Sequence, residues 1–221
     1  MKVSRTQAAE NRERILDVAT KLFRERGIDG IGVADLMRAA GLTHGGFYGH
    51  FESKEDLVAQ ACARCVQRMR QNWTQIIDQS PGNPLNALAD NYLTSKHRDN
   101  VGRGCAIAAL GSEIARQGPP VRRAFTDELK PFFDYLSRIV GGRSGRLRRQ
   151  KALATYASLV GALIVSRAVD DSDLSDEILA AVAQTMQNKD ESTPKKLSSS
   201  RSRPPKSNGP NVKRTTRSRT A

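Results

Sequence analysis

Residues 32–51 read GVADLMRAAGLTHGGFYGHF, and this stretch decides how the rest of the chain is read. Val33, Leu36, Met37 and Ala40 recur at helical spacing and give a short helix one apolar face. Gly41 follows where a helix stops, because a left-handed residue there costs glycine nothing. Thr43 stands where a second helix would be capped, and Phe47 and Phe51, four residues apart, give that helix an inward face. Two short helices joined by a tight glycine turn have the shape of a helix-turn-helix, whose second helix enters a major groove.

The wider context carries a resemblance. Residues 19–27 fit AxxLFxxxG, residues 39–43 read AAGLT, and residues 45–57 fit GxFYxHFxSKEDL. On these motifs, residues 12–57 resemble the DNA-binding domain of TetR-family transcriptional regulators. The resemblance implies an operator-binding homodimer that answers to a small-molecule inducer or electrophile. It also implies that Tyr48 offers a phosphate-binding hydroxyl, that Lys54 grips phosphate, and that Gly45 is a motif position. The chain departs from the family at Gly32, where Ser or Thr is usual, and at His44, where lysine is frequent. Gly46 and Gly49 replace commoner larger residues, which leaves fewer side chains to read sequence.

The residues bear on the same contacts independently. Each glycine costs a helix roughly 1 kcal/mol against alanine, so a segment holding Gly45, Gly46 and Gly49 cannot stand alone and must be held by Leu42, Phe47 and Phe51. Two readings of these glycines stay open, close approach of the backbone to DNA or a loosely wound turn. Thr43 can donate to a phosphate, and the His44 ring can bond a base acceptor or a phosphate. His50 is either a contact or a packing group. As a metal pair His44 and His50 are poorly spaced, since i and i+6 do not share a helix face. Ser53 with Asp56 forms a near capping box, placing Lys54 in the first turn of the next helix, where free N–H groups also favour an anion.

The formal net charge of +13 suggests a polyanionic partner, but its placement matters. Residues 188–221 hold ten Lys/Arg and two Asp/Glu, a net +8 that leaves +5 for residues 1–187. Residues 1–57 carry nine of each sign. Bulk charge therefore marks a basic tail and does not locate a reading face. No apolar run nears the ~18 residues of a membrane helix, the N-terminus lacks an apolar export signal, and three cysteines fit a reducing cytoplasm.

The expected architecture is all-α. A flexible arm (1–10) precedes a three-helix helix-turn-helix domain (11–70). A helical ligand-binding and dimerisation domain (71–187) and a disordered basic tail (188–221) follow. Within the body, Leu85 to Ser95 reads as one helix, Val121 to Val140 as another with Phe125, Leu129, Phe132, Phe133, Leu136 and Ile139 on one stripe, and the last two helices lie near 149–169 and 173–187. That stripe is either core or a cavity wall. Cys62 and Cys65 form a C-x-x-C inside a helix, read as small buried residues ahead of a zinc or redox site. Cys105 follows Arg103-Gly104 at a helix N-terminus, a setting that favours thiol reactivity, and Gly-Cys here resembles the electrophile-sensing branch of the family; a small buried hydrophobe is the other reading. His97, Asp99 and Glu113 make an acid–base set only by accident of folding, and no cofactor or catalysis is expected. The expected function is a ligand- or electrophile-responsive repressor. The alternative is a non-specific DNA-coating protein driven by the tail.

Overall fold

The computed structural model describes residues 4–80 and 82–188. Residues 1–3 of the expected arm, residue 81 and residues 189–221 of the expected tail lie outside them. Nine α-helices run through the described residues: α1 Arg5–Arg26, α2 Val33–Ala39, α3 Lys54–Gln79, α4 Pro84–Tyr92, α5 Ser95–Asp99, α6 Ala106–Ile114, α7 Pro119–Ile139, α8 Gly145–Ala168 and α9 Ser172–Asn188. The all-α expectation holds.

Local chemistry sets most of the boundaries. The Ser4 hydroxyl accepts the Gln7 N–H at 3.1 Å, so α1 begins at Arg5 and residues 5–10, expected as a flexible arm, are helical. Gly27 and Gly41 both take positive φ, +79° and +70°, and end α1 and α2. Ser53 accepts the Asp56 N–H at 3.0 Å, while Asp56 reaches back to the Glu52 N–H at 3.2 Å. Two corrections concern helix starts. Leu85 to Ser95 is broken after Tyr92, because Thr94 caps α5 through the His97 N–H. Inside the basic loop, Ser144 caps α8 four residues before the expected start.

Two apolar cores result. The first joins α1, α2, the start of α3 and the reading segment through Phe23, Leu36, Met37, Phe47, Phe51 and Leu57, and it also takes in Leu110, Ile114 and Val121 from α6 and α7. The second fills the body around Trp73, Phe132, Leu136, Tyr156 and Leu159. The α7 stripe is core: Phe132 and Leu136 are fully buried there. Residue 70, the expected domain boundary, falls within α3, which is continuous and contributes to both cores.

His97 fixes the start of α6. Its Nδ1 lies 2.7 Å from the Tyr92 carbonyl oxygen and so donates, while Nε2 accepts the Cys105 N–H at 2.9 Å. The Nδ1 bond survives in either protonation state, but Nε2 can accept from Cys105 only while the ring is neutral. Burial pushes its pKa below the ordinary 6.5, the Tyr92 bond opposes this, and the nearby Arg167 guanidinium adds to it.

Replacing Phe47 by Ala is expected to cost about 3–5 kcal/mol in denaturant unfolding, because the ring is fully buried and its loss leaves a cavity. The unfolded chain binds a proton at His97 before the folded one does. Stability should therefore fall as pH drops below about 6.5 towards the lowered folded value. The urea midpoint of the wild type should drop between neutral pH and about pH 5.5. His97→Gln should start lower and lack that component of the slope.

Candidate DNA-reading face and body cavity

The segment after Thr43 is wound as a 3₁₀ helix, His44–Gly49, rather than the expected α-helix. Thr43 sits at its N-cap with extended backbone but makes no side-chain cap bond; its carbonyl accepts the Gly46 N–H at 3.0 Å instead. This corrects the capping role expected of Thr43. Three glycines in six residues offer too little side-chain packing to hold a wider turn, and the tighter i→i+3 winding suffices over so short a run.

Phe47 anchors this segment. It is fully buried, stacks on Phe51 with ring centroids 5.7 Å apart, and meets the Tyr48 ring edge-on at 5.2 Å. The neighbouring residues point outward: Thr43, His44 and Gly45 are exposed, and Tyr48 is 68 % exposed. Gly46, His50 and Lys54 are half-buried. Lys54 opens α3 directly behind the Ser53 cap, where the first-turn N–H groups have no preceding carbonyl to bond. A Cβ placed on Gly45 would meet nothing within 4 Å, nor would one on Gly49. The fold itself makes no demand for glycine at either position.

Behind this face, α1 and α3 are clamped by charge. Arg64 bonds Glu13 at 2.6 Å and Asp17 at 3.1 Å, and Arg68 reaches Asp17 at 2.5 Å. Arg64 holds the Glu13 carboxyl below its ordinary range. Arg12 donates to Gln60 and lies over the Phe51 ring, 5.0 Å from its centroid.

Cys105 is remote in sequence from the reading face and occupies the N-cap of α6. It is buried, with its Sγ 3.8 Å from the Tyr156 hydroxyl. Its reachable side is a cavity of about 520 Å³ between α1, α3, α4, α5 and the start of α6, with Met69, Trp73 and Tyr92 among its walls. Cys62 and Cys65 are both buried in α3. Burial pushes the Cys62 thiol up to about 12 and raises that of Cys65. A thiol held protonated is a poor metal ligand or nucleophile. Among the described residues no three His, Cys, Asp or Glu side chains gather to hold a metal ion. His97, Asp99 and Glu113 are likewise not brought together. Asp99 pairs with Arg98 at 2.8 Å, and Glu113 sits at the far end of α6 from His97.

Sequence reasoning missed the groups that join the two regions. Glu113 accepts the Ile28 N–H at 2.6 Å, tying the end of α6 to the α1–α2 loop. Arg24 donates through Nε to the Gly102 carbonyl at 2.9 Å, tying α1 to the turn that leads into Cys105. Both bonds span more than 75 residues of chain, and no local pattern announces them.

Comparison with known proteins places this geometry. Residues 15–61 match the family model described as bacterial regulatory proteins, tetR family. The chain is 28 % identical over 184 residues to the HTH-type transcriptional repressor DhaR of Mycobacterium sp. strain GP1, covering 79 % of this chain and 91 % of that protein. It is 24 % identical over 163 residues to the repressor NemR of Escherichia coli K12, covering 69 % of this chain and 82 % of NemR. With the regulator AcrR of Shigella flexneri it shares 31 % over 87 residues, 39 % of this chain and only 40 % of AcrR. Among solved structures, reduced E. coli NemR superposes with a TM-score of 0.67 at 22 % identity over 81 % of this chain and 96 % of the other. A TetR-family regulator from Cytophaga hutchinsonii gives 0.70 at 19 % identity over 85 % and 98 %. Residues 15–61 are thus a helix-turn-helix domain of the tetR type, and over most of its length the chain is similar to transcriptional regulators of that family and shares their fold.

Proposed function

We propose that the chain is a repressor that binds a near-palindromic operator as a homodimer and lets go when its helical body is occupied or modified. The observation that carries the reading is the 3₁₀ segment, which turns Thr43, His44, Gly45 and Tyr48 outward while Phe47 pins it to the core. In this reading Tyr48 and Lys54 hold phosphates. Thr43, His44 and His50 contact phosphate or base edges, and the bare backbone at Gly45 and Gly46 lets the segment approach the groove closely.

A second copy is the occupant proposed for the α8–α9 surface. Of the six large apolar side chains that stand exposed among the described residues, Leu147, Leu153, Ile164 and Val165 lie on α8 and Leu174 on α9; the sixth is Tyr48. Gly161 on the same surface has open space where a Cβ would stand, so a partner helix can come close. Two-fold pairing there sets two reading segments against half-sites of a symmetric operator.

Release runs through α6. Its first residues border the cavity and its last hold Ile28, so a ligand beside Cys105, or an electrophile on its thiol, displaces a rod that bears on the reading domain. A coupling of about 2.7 kcal/mol would lower operator affinity roughly a hundredfold.

The test is selection of binding sites from random duplex DNA by the full chain at near-physiological salt. Enrichment of a two-fold symmetric motif is expected; recovery without sequence preference would favour the DNA-coating alternative. On the selected operator, Tyr48→Phe should weaken binding about three- to tenfold. Lys54→Ala should weaken it across sequences and lower the salt slope by about 1. Gly45→Ala separates the two glycine readings. It should leave stability unchanged or raised by up to about 1 kcal/mol, since the added methyl meets open space, while operator affinity falls. Undiminished affinity in all three variants would remove the contact assignment.

A further inference from the structure

The cavity beside Cys105 has a charge pattern that narrows what it can hold. Arg24, Arg68, Lys96 and Arg103 all line it, and no Asp or Glu does. Arg68 is engaged by Asp17. Arg24, Lys96 and Arg103 have no carboxylate partner among the described residues; Arg24 gives Nε to the Gly102 carbonyl and Nη1 to the Cys65 sulfur at 3.5 Å, which leaves its Nη2 for a ligand. Three uncompensated cations around one concavity raise the local concentration of anions and lower that of cations.

The interior complements the rim. Trp73 and Tyr92 are buried, meet edge-on with centroids 6.0 Å apart, and line the cavity alongside Met69. Tyr92 is 4 % exposed and lines the cavity; its hydroxyl has only the weakly polar Cys105 thiol beside it and no partner at ordinary hydrogen-bond distance. Burial pushes the Tyr92 phenol well above its ordinary pKa, so it stays a neutral O–H donor. A buried donor left unpaired costs free energy that a bound acceptor would recover. Behind the Gly104 wall, Arg167 bonds the carbonyls of Arg98 and His97 and leaves Nη1 buried and unpaired, adding a further fixed positive charge.

From this geometry we infer that the cavity binds a small organic anion with an apolar, preferably aromatic, body, and that this anion is the effector. The acid group lies at the rim among Arg24, Lys96 and Arg103, and the body stacks against Trp73 and Tyr92. A volume of about 520 Å³ falls within the range of small-molecule sites. Selectivity against neutral analogues comes from the rim and against inorganic anions from the aromatic floor. An acid that draws Arg24 away from the Gly102 carbonyl loosens one of the two bonds tying the reading domain to α6 and its approach turn. The effector half rests on the regulator reading above; the binding half does not.

Trp73 is the chain's single tryptophan, so its emission reports occupancy of this cavity. Anilinonaphthalene sulfonate and phenylnaphthylamine share an apolar body and differ in the sulfonate. The sulfonate is expected to bind one site per chain saturably, to quench Trp73, and to bind about tenfold or more tightly than the neutral probe. In the double variant Lys96→Gln/Arg103→Gln, whose side chains are both exposed, the sulfonate should weaken by about tenfold while the neutral probe is unchanged. Equal affinity of the two probes, or an anion preference that survives in the double variant, overturns the site. So does binding without Trp73 quenching, which would place the probe elsewhere. Quenching and anion preference on a protein whose operator is not released overturn the effector role alone. Failure to select any operator leaves the cavity result intact and falls on the regulator reading.

Discussion

The structure depends on α3 being one unbroken helix. Its first turns contribute Leu57 and Val58 to the apolar core of the reading domain, and its later turns contribute Val66 and Trp73 to the core of the body. An α-helix of 26 residues is stiff over about 39 Å, so a shift at one end is delivered to the other. The second tie is α6, whose Leu110 and Ile114 sit in the reading-domain core while its N-cap borders the cavity beside Cys105. Two rods joining the same pair of cores make relative movement of the domains a choice between packed arrangements instead of a continuous drift.

Within that frame the reading face is economical. Residues 1–57 carry equal numbers of acidic and basic side chains, and α1 and α3 spend several of them on one another through Arg64, Arg68, Glu13 and Asp17. On the proposed reading, attraction to DNA there would depend on a few placed groups, since the net charge of residues 1–57 is zero. The small, glycine-rich segment presents backbone as much as side chain, and its stability is borrowed from Phe47 and Phe51.

Local chemistry was legible in the sequence and long-range chemistry was not. The glycines at 27 and 41, the Ser53 cap and the inward aromatics Phe47 and Phe51 each follow from a pattern within five residues, and each stands where the pattern puts it. The 3₁₀ winding escaped because glycine content announces weakness of the helix without choosing between i→i+3 and i→i+4 bonding. The early start of α8 was signalled by Ser144, but the arginines after it suggested a loop. The cavity beside Cys105 could not be read at all. Arg24, Arg68, Lys96 and Arg103 come from three helices and the turn before α6, and only tertiary packing makes them neighbours. Cys105 was singled out for its helix N-terminus; its burial against Tyr156 and its dependence on a neutral His97 belong to the fold.

Gly27 answers to two unrelated demands at once. Its φ of +79° disfavours any side chain, and a Cβ there would stand 3.0 Å from both carboxylate oxygens of Glu113, the group that holds Ile28. A substitution at this position strains the turn and crowds the link to α6 in the same step. On the proposed release route, residue 27 offers no way to alter the link to α6 while sparing the turn, whereas Glu113 and the other side chains of α6 can change without forcing the backbone.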